Sequence, residues 1–229
     1  MSGVLVAGAD GGIGSAVVRE LARRGIDTVG VDRDTVDVTR PGGAEEALEL
    51  AAARLGTVTG VVHAVGMSGR RLGDGDVAAC TDEAWAEVHR VNHESVFRLL
   101  RAALPALSGG GSIVVVGSAL ARTLDEDFLT VAYASAKAAL VPLVRSAAYS
   151  GARHGVRVNL VSPGVVDTPM ARRAVESPDV APRLAALQRV SRGPQSADAV
   201  ARVVCWVLSD EACDLSGAEV PADGGWTLR

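Results

Sequence analysis

The run Gly3-Val-Leu-Val-Ala7-Gly8-Ala-Asp10-Gly11-Gly12-Ile13-Gly14-Ser-Ala-Val17-Val18-Arg-Glu-Leu21-Ala-Arg-Arg24-Gly25 decides the fold. Its apolar opening reads as a short buried strand that ends in glycines. Ile13, Val17, Val18 and Leu21 then fall on one face of a helix over 13–24, which Gly25 closes as a C-cap. A strand that passes through glycines into a helix lets the backbone approach a pyrophosphate. The helix N-terminus adds free N–H groups and the positive end of its dipole. A glycine-rich turn can also be only a tight turn; its place between a first strand and an amphipathic helix favours a nucleotide.

The same alternation continues outward. Further β runs occupy 28–31, 58–64, 112–116, 156–161 and 218–221, and helical patterns occupy 44–55, 82–104, 132–153 and 197–209. Strands that are apolar throughout, each separated by a helix, predict parallel β with right-handed crossovers. The expected architecture is a single α/β domain over 1–229, a Rossmann-type doubly wound parallel sheet with helices on both faces. Residues 165–194 hold four prolines (Pro169, Pro178, Pro182, Pro194) and no sustained periodicity, so they read as an irregular, mobile substrate lid.

Composition narrows the function. Hydrophobic residues make up 48% of the chain and aromatic ones 3%, so Val, Leu, Ile and Ala must build the core. A net charge of −4 without a basic tract gives no footprint for nucleic acid. Cys80, Cys205 and Cys213 form no CxxC pair and read as free thiols, and no metal site is expected. The start shows no basic n-region, and no apolar run approaches the ~20 residues of a membrane span, so a soluble, cytoplasmic protein is expected.

The second strand ends in Val31-Asp32-Arg33. A carboxylate there, about 20 residues after the glycine loop, can take the adenosine ribose hydroxyls and repel a 2′-phosphate. Arg33 is the counter-argument, because an arginine could hold that phosphate. No Lys or Arg lies inside the loop, where Asp10 adds negative charge, so NAD is expected rather than NADP.

Tyr133-Ala-Ser-Ala-Lys137 places a phenol and an ammonium one helical turn apart. A phenol with a pKa of ~10 is a poor acid–base group at neutral pH, and a fixed cation beside it lowers that value. The spacing alone is weak. Lys137, however, is the only lysine among 23 basic residues, and Tyr133 is one of two tyrosines.

With these residues in view, the chain resembles the short-chain dehydrogenase/reductase family over nearly its whole length. The resemblance rests on Gly8/Gly12/Gly14, Asn92 in Val-Asn-His, Ser118 in Val-Gly-Ser, Tyr133/Lys137, Ser162-Pro163-Gly164, Arg157-Val-Asn159 and Asp223-Gly-Gly225. Both asparagines of the chain fall on these positions. The resemblance implies an oxidoreductase that interconverts a secondary alcohol and a ketone. Tyr133 would be the acid/base and Lys137 would lower its pKa and bond the nicotinamide ribose. Ser118 would orient the substrate oxygen, and Asn92 would hold a water of a proton relay. Thr168 would meet the nicotinamide carboxamide. Asp10, Ile13, Asp32, Arg33, Asp37, Val38, Ala64, Gly66, Pro163, Gly164 and Val166 would line the rest of the cofactor cleft. A homotetramer or homodimer is expected, because the helix over 132–153 shows two small-residue or apolar faces.

The chain departs from the family pattern in four places. Ala7 stands where the loop normally opens with Thr, and His63-Ala64-Val65-Gly66 replaces Asn-Asn-Ala-Gly; His63 reads as a packed histidine. Only four residues separate Asp32 from Asp37-Val38, a shortening that resembles bacterial 3α-hydroxysteroid dehydrogenase/carbonyl reductase and points to a cyclic or aromatic substrate. Residues 124–127 form an insert expected at the cleft rim. Pro142 should kink the catalytic helix beyond Lys137. The rival readings are a cofactor-binding redox sensor or scaffold without turnover, and an epimerase or dehydratase of the extended relatives. The first would be expected to lose Tyr133 or Lys137, and the second needs a longer C-terminal part.

Overall fold

The computed structural model describes residues 3–107 and 109–228. Strands β1 (Gly3–Ala7), β2 (Asp27–Val31), β3 (Gly60–His63), β4 (Gly111–Val116), β5 (Val156–Pro163) and β6 (Glu219–Ala222) pair in parallel in the order β2-β1-β3-β4-β5-β6. The order reverses between β1 and β3, which opens a crevice beyond the carboxyl ends of the strands.

Alternation along each strand sorts the core into two layers. Leu5 and Ala7 of β1, with Ile113 and Val115 of β4, pack on α2 (Gly43–Leu55), α4 (Ser95–Ala106) and α6 (Leu140–Ala152). Val4, Val6, Val114 and Val116 face the other way, onto α1 (Gly12–Arg23) and α9 (Ala197–Leu208). With both faces covered, the strands have no polar side, which is why they read as unbroken apolar runs. Each fully buried Val, Leu or Ile contributes about 1.5–3 kcal/mol, so the two layers carry most of the favourable free energy.

The shortened connection after β2 leaves it as an edge strand. Residues 32–40 turn directly back toward α2, and Arg90 and Arg98 hold this loop through the Thr39 carbonyl at 3.2 and 2.9 Å. The expected long helix over 82–104 is α3 (Asp82–His89) and α4 joined by a π-turn, Arg90–Glu94. The segment that carries Tyr133 and Lys137 is α5 (Val131–Ala138), a break at Ala139, then α6. Pro142 lacks the N–H that would bond Ala138, so the break falls one turn before the proline, as expected. The outward faces of α4 and α6 leave Phe97 and Tyr149 exposed.

Residues 165–194 differ from the irregular segment expected. They contain α7 (Arg172–Glu176) and α8 (Ala181–Leu187), with Val180, Leu184 and Leu187 buried against Trp226. The Gln188 side chain is fully buried and donates to the carbonyls of Val165 and Gly193. Among the described residues, no helix is long and apolar enough to cross a membrane.

Arg157 on β5 shows how a motif position earns its place structurally. Its guanidinium donates to the carbonyls of Val207, Leu208, Ser209 and Leu215 at 2.9 to 3.2 Å, closing the C-terminus of α9. Asn159 donates to the Leu215 carbonyl at 2.7 Å and accepts from Ala218 N at 3.1 Å, guiding the chain into β6. Arg157→Met keeps the aliphatic stem but strands these carbonyls. It is expected to lower unfolding free energy by about 2–4 kcal/mol. Urea denaturation checks this, and a loss below about 0.5 kcal/mol would contradict the assigned role.

Candidate active site

The carboxyl ends of β1, β3, β4 and β5 converge on one pocket. It brings together Ile13, Ala64, Gly66, Ser118, Tyr133, Lys137, Pro163, Gly164, Val166 and Thr168 of the residues expected from sequence. Gly8, Asp10, Gly12 and Gly14 lie in the β1–α1 turn, Asp32 and Arg33 just beyond β2, and Asp37 and Val38 in the short loop after it. Asn92 is fully buried in the π-turn behind the pocket.

The fold places each reactive group by a separate device. Ser118 follows β4 and caps a short turn by accepting from Leu120 N at 3.2 Å. Tyr133 and Lys137 ride on α5, whose N-terminus is held by Asp74. The Asp74 carboxylate is buried and accepts from Ala132 N at 2.9 Å and Tyr133 N at 3.1 Å. A carboxylate at a helix N-terminus also complements the dipole. Nothing in the sequence near Asp74 announces this cap, because its partners lie 58 and 59 residues away.

Lys137 is 3% exposed, and its ammonium donates to the Val116 carbonyl at 2.9 Å. Burial pulls its pKa down from 10.5 to about 8. Its nitrogen lies 5.8 Å from the centre of the Tyr133 ring. The Tyr133 phenol is pushed above its ordinary value by burial, while a hydrogen bond with Ser118 pulls the other way. The ammonium faces the Val116 carbonyl and lies over the Tyr133 ring.

Asn92 acts as a brace. Its amide donates to the carbonyls of Met67 and Val88, both at 3.0 Å, and accepts from Met67 N at 3.2 Å. These three bonds tie the strand leaving β3 to the π-turn. His63, paired in register with Ala7, is 1% exposed, and its Nε2 meets Ser95 Oγ at 2.9 Å. Ser95 donates to the Val91 carbonyl at 2.6 Å, so His63 is the donor to Ser95 and Nδ1 carries no proton. Burial first, and then the Lys137 charge, lower its pKa to about 3, so it is a packed neutral histidine.

The residues present fit a dinucleotide. Gly11 precedes α1 and no side chain caps that helix, leaving its first-turn N–H groups for an anion. A Cβ on Gly14 would stand 1.9 Å from the Gly8 carbonyl oxygen, so only glycine closes the loop this tightly. A Cβ on Gly12 would stand 2.3 Å from Thr168 Cγ2, so the loop and the chain after β5 form the two lips of one cleft. Asp32 links the β2 tip to the loop by accepting from Asp10 N at 3.0 Å and Arg33 N at 2.7 Å. Arg33 is 85% exposed and reaches only toward Asp34, 4.0 Å away.

The pocket also holds residues that sequence reading did not single out, among them Arg70, Phe128, Thr130, Arg173 and Trp226. They come from four separate stretches and share no local pattern, so only the fold unites them.

A family model described as enoyl-(acyl carrier protein) reductase matches residues 7–227. The chain is 30% identical to the 3-oxoacyl-acyl-carrier-protein reductase FabG of Escherichia coli (strain K12), covering 96% of this chain and 95% of that one. It is 33% identical to cis-4-hydroxycyclohexanecarboxylate dehydrogenase of Sinomonas cyclohexanicum, covering 97% and 95%. The solved structure of ElxO with NADP bound is 18% identical and has a TM-score of 0.88 over 100% of this chain and 99% of its own, a likeness of fold. With the match spanning nearly every residue, the chain belongs to the short-chain dehydrogenase/reductase family of oxidoreductases.

Proposed function

We propose that the protein is an NAD-dependent oxidoreductase that interconverts a secondary alcohol and a ketone on a cyclic or aromatic substrate. The observation that carries this reading is the Ser118–Tyr133 hydroxyl pair in one pocket with the only lysine of the chain. The nicotinamide supplies the hydride donor or acceptor. Ser118 and Tyr133 converge on the substrate oxygen, and Ser118 fixes its direction. Because burial holds the Tyr133 phenol protonated at neutral pH, Tyr133 is ready to donate to a carbonyl oxygen during reduction. In the reverse direction the phenol must first lose its proton, so oxidation should accelerate as pH rises. Lys137 sits beside the ring as the cation that stabilises the phenolate, and Asn92 steadies the wall behind it. Leu120, Phe128 and Met170 supply apolar walls suited to a ring, and one relative is named for a hydroxylated cyclohexane.

A screen of cyclic alcohols and ketones, followed at the nicotinamide absorbance, tests the reading. Tyr133→Phe should abolish turnover while keeping cofactor binding. Lys137→Arg keeps the charge, yet it is expected to lose more than about 10-fold in turnover. A guanidinium is wider and cannot exchange its proton at working pH. If the arginine variant kept half the native rate, charge alone would account for Lys137.

The cofactor choice rests on the β2 tip. Asp32 stands bonded to the glycine loop, no cation lies in that loop, and Arg33 projects outward. NAD should bind more tightly than NADP, and Asp32→Ser should narrow the gap. Fluorescence titration that found NADP the tighter ligand of the native protein would overturn this.

A further inference from the structure

The charged side chains that line the reaction pocket are Arg70, Lys137 and Arg173, and no Asp or Glu lines it. This is the reverse of the whole chain, whose net charge is −4. Lys137 is taken by the Val116 carbonyl deep in the site. The two arginines lie at the rim, one on the turn Arg70–Leu72 after β3 and the other on α7. They meet across the cleft mouth, where both donate to the Asp127 carbonyl, at 2.9 Å from Arg70 and 2.6 Å from Arg173.

That arrangement sets like charges side by side; burial first, and then the Arg173 charge, lower the proton affinity of Arg70. The nearby carboxylates, Asp74 and Asp127, offset this only in part. Asp127 pairs with Arg183, and Asp74 is spent on the backbone of α5. Neither Arg70 nor Arg173 forms a salt bridge among the described residues. Two guanidiniums that share one neutral acceptor keep most of their donors free, and a carboxylate is the group that satisfies both. Leu120, Phe128, Met170 and Trp226 line the same pocket as these arginines, Ser118 and Tyr133. The indole N–H of Trp226 is buried without a hydrogen-bond partner.

We propose that Arg70 and Arg173 form a carboxylate anchor, so that the substrate is a cyclic hydroxy acid or keto acid held by its carboxylate at the rim and its reacting carbon at Tyr133. This deepens the functional reading above and depends on it for the reacting end only. The ring spans the apolar stretch, and the anchor fixes its orientation before hydride transfer. The arginines are binding residues; they touch neither the reacting carbon nor its oxygen.

The test compares 4-oxocyclohexanecarboxylate with its uncharged amide, using native protein, Arg70→Gln, Arg173→Gln and the double variant. The native protein should prefer the acid by at least about 10-fold in kcat/KM, carried by KM. The double variant should lose that preference, through a rise in KM for the acid, and keep its NADH affinity. Arg70→Lys with Arg173→Lys should restore part of the preference, because charge returns without the fork. Equal use of acid and amide by the native protein would overturn the anchor, as would an equal loss on both in the double variant. If neither compound is reduced, the functional reading fails by itself. The anchor is then read by calorimetric titration of cyclohexanecarboxylate into the NADH complex. Binding to the native protein that the double variant loses supports the anchor, and no millimolar binding to the native protein overturns it.

Discussion

Everything at the reaction centre depends on keeping one ammonium out of water. Lys137 is 3% exposed and rests on the Val116 carbonyl at the end of β4. Taking a charge out of water is costly, and the fall of its pKa from 10.5 to about 8 corresponds to roughly 3 kcal/mol. The sign follows from linkage: the unfolded chain binds the proton more tightly, so the cost is full below about pH 8 and is recovered as pH rises toward 10.5. The apolar layers on either side of the sheet are what allow the fold to carry it.

The surrounding polar groups are arranged to make that burial possible. Asp74 holds the first turn of α5, so the phenol and the ammonium keep their places relative to Ser118. Asn92 satisfies the backbone of Met67 from the π-turn, where an extra residue in the helix swings the amide inward. His63 stays neutral beside the cation, since its pKa is lowered to about 3. Its sign is also definite: the unfolded chain would protonate it below about pH 6.5, so this site loses stability as pH falls from there toward 3. The departures Ala7 and His63 are thus one paired feature of β1 and β3, joined in register and closed by Ser95.

The parts of the structure that were legible in the sequence are those encoded locally. The unbroken apolar runs in Gly3–Ala7 and Gly111–Val116 mark strands buried on both faces, and the glycine turn places the cleft. The Tyr133/Lys137 spacing finds a helix of the candidate site, and Pro142 finds its break. What sequence reading missed depends on distant pairing. The Asp74 cap joins residues 58 apart, and Arg70 and Arg173 meet only because both reach Asp127. Helices α7 and α8 escaped because their apolar residues, Ala174, Val180, Leu184 and Leu187, serve a small cluster around Trp226 instead of a long amphipathic stripe. The direction of the Tyr133 shift was also hidden, since it is set by burial, which no spacing reveals.

The chain's single lysine makes the central claim directly measurable. Protein grown with lysine labelled at Nζ with nitrogen-15 gives one side-chain resonance, which can be followed from neutral to alkaline pH. A buried ammonium held at the end of β4 predicts a titration midpoint near 8. A midpoint at the ordinary 10.5 would show a solvated lysine and contradict the account.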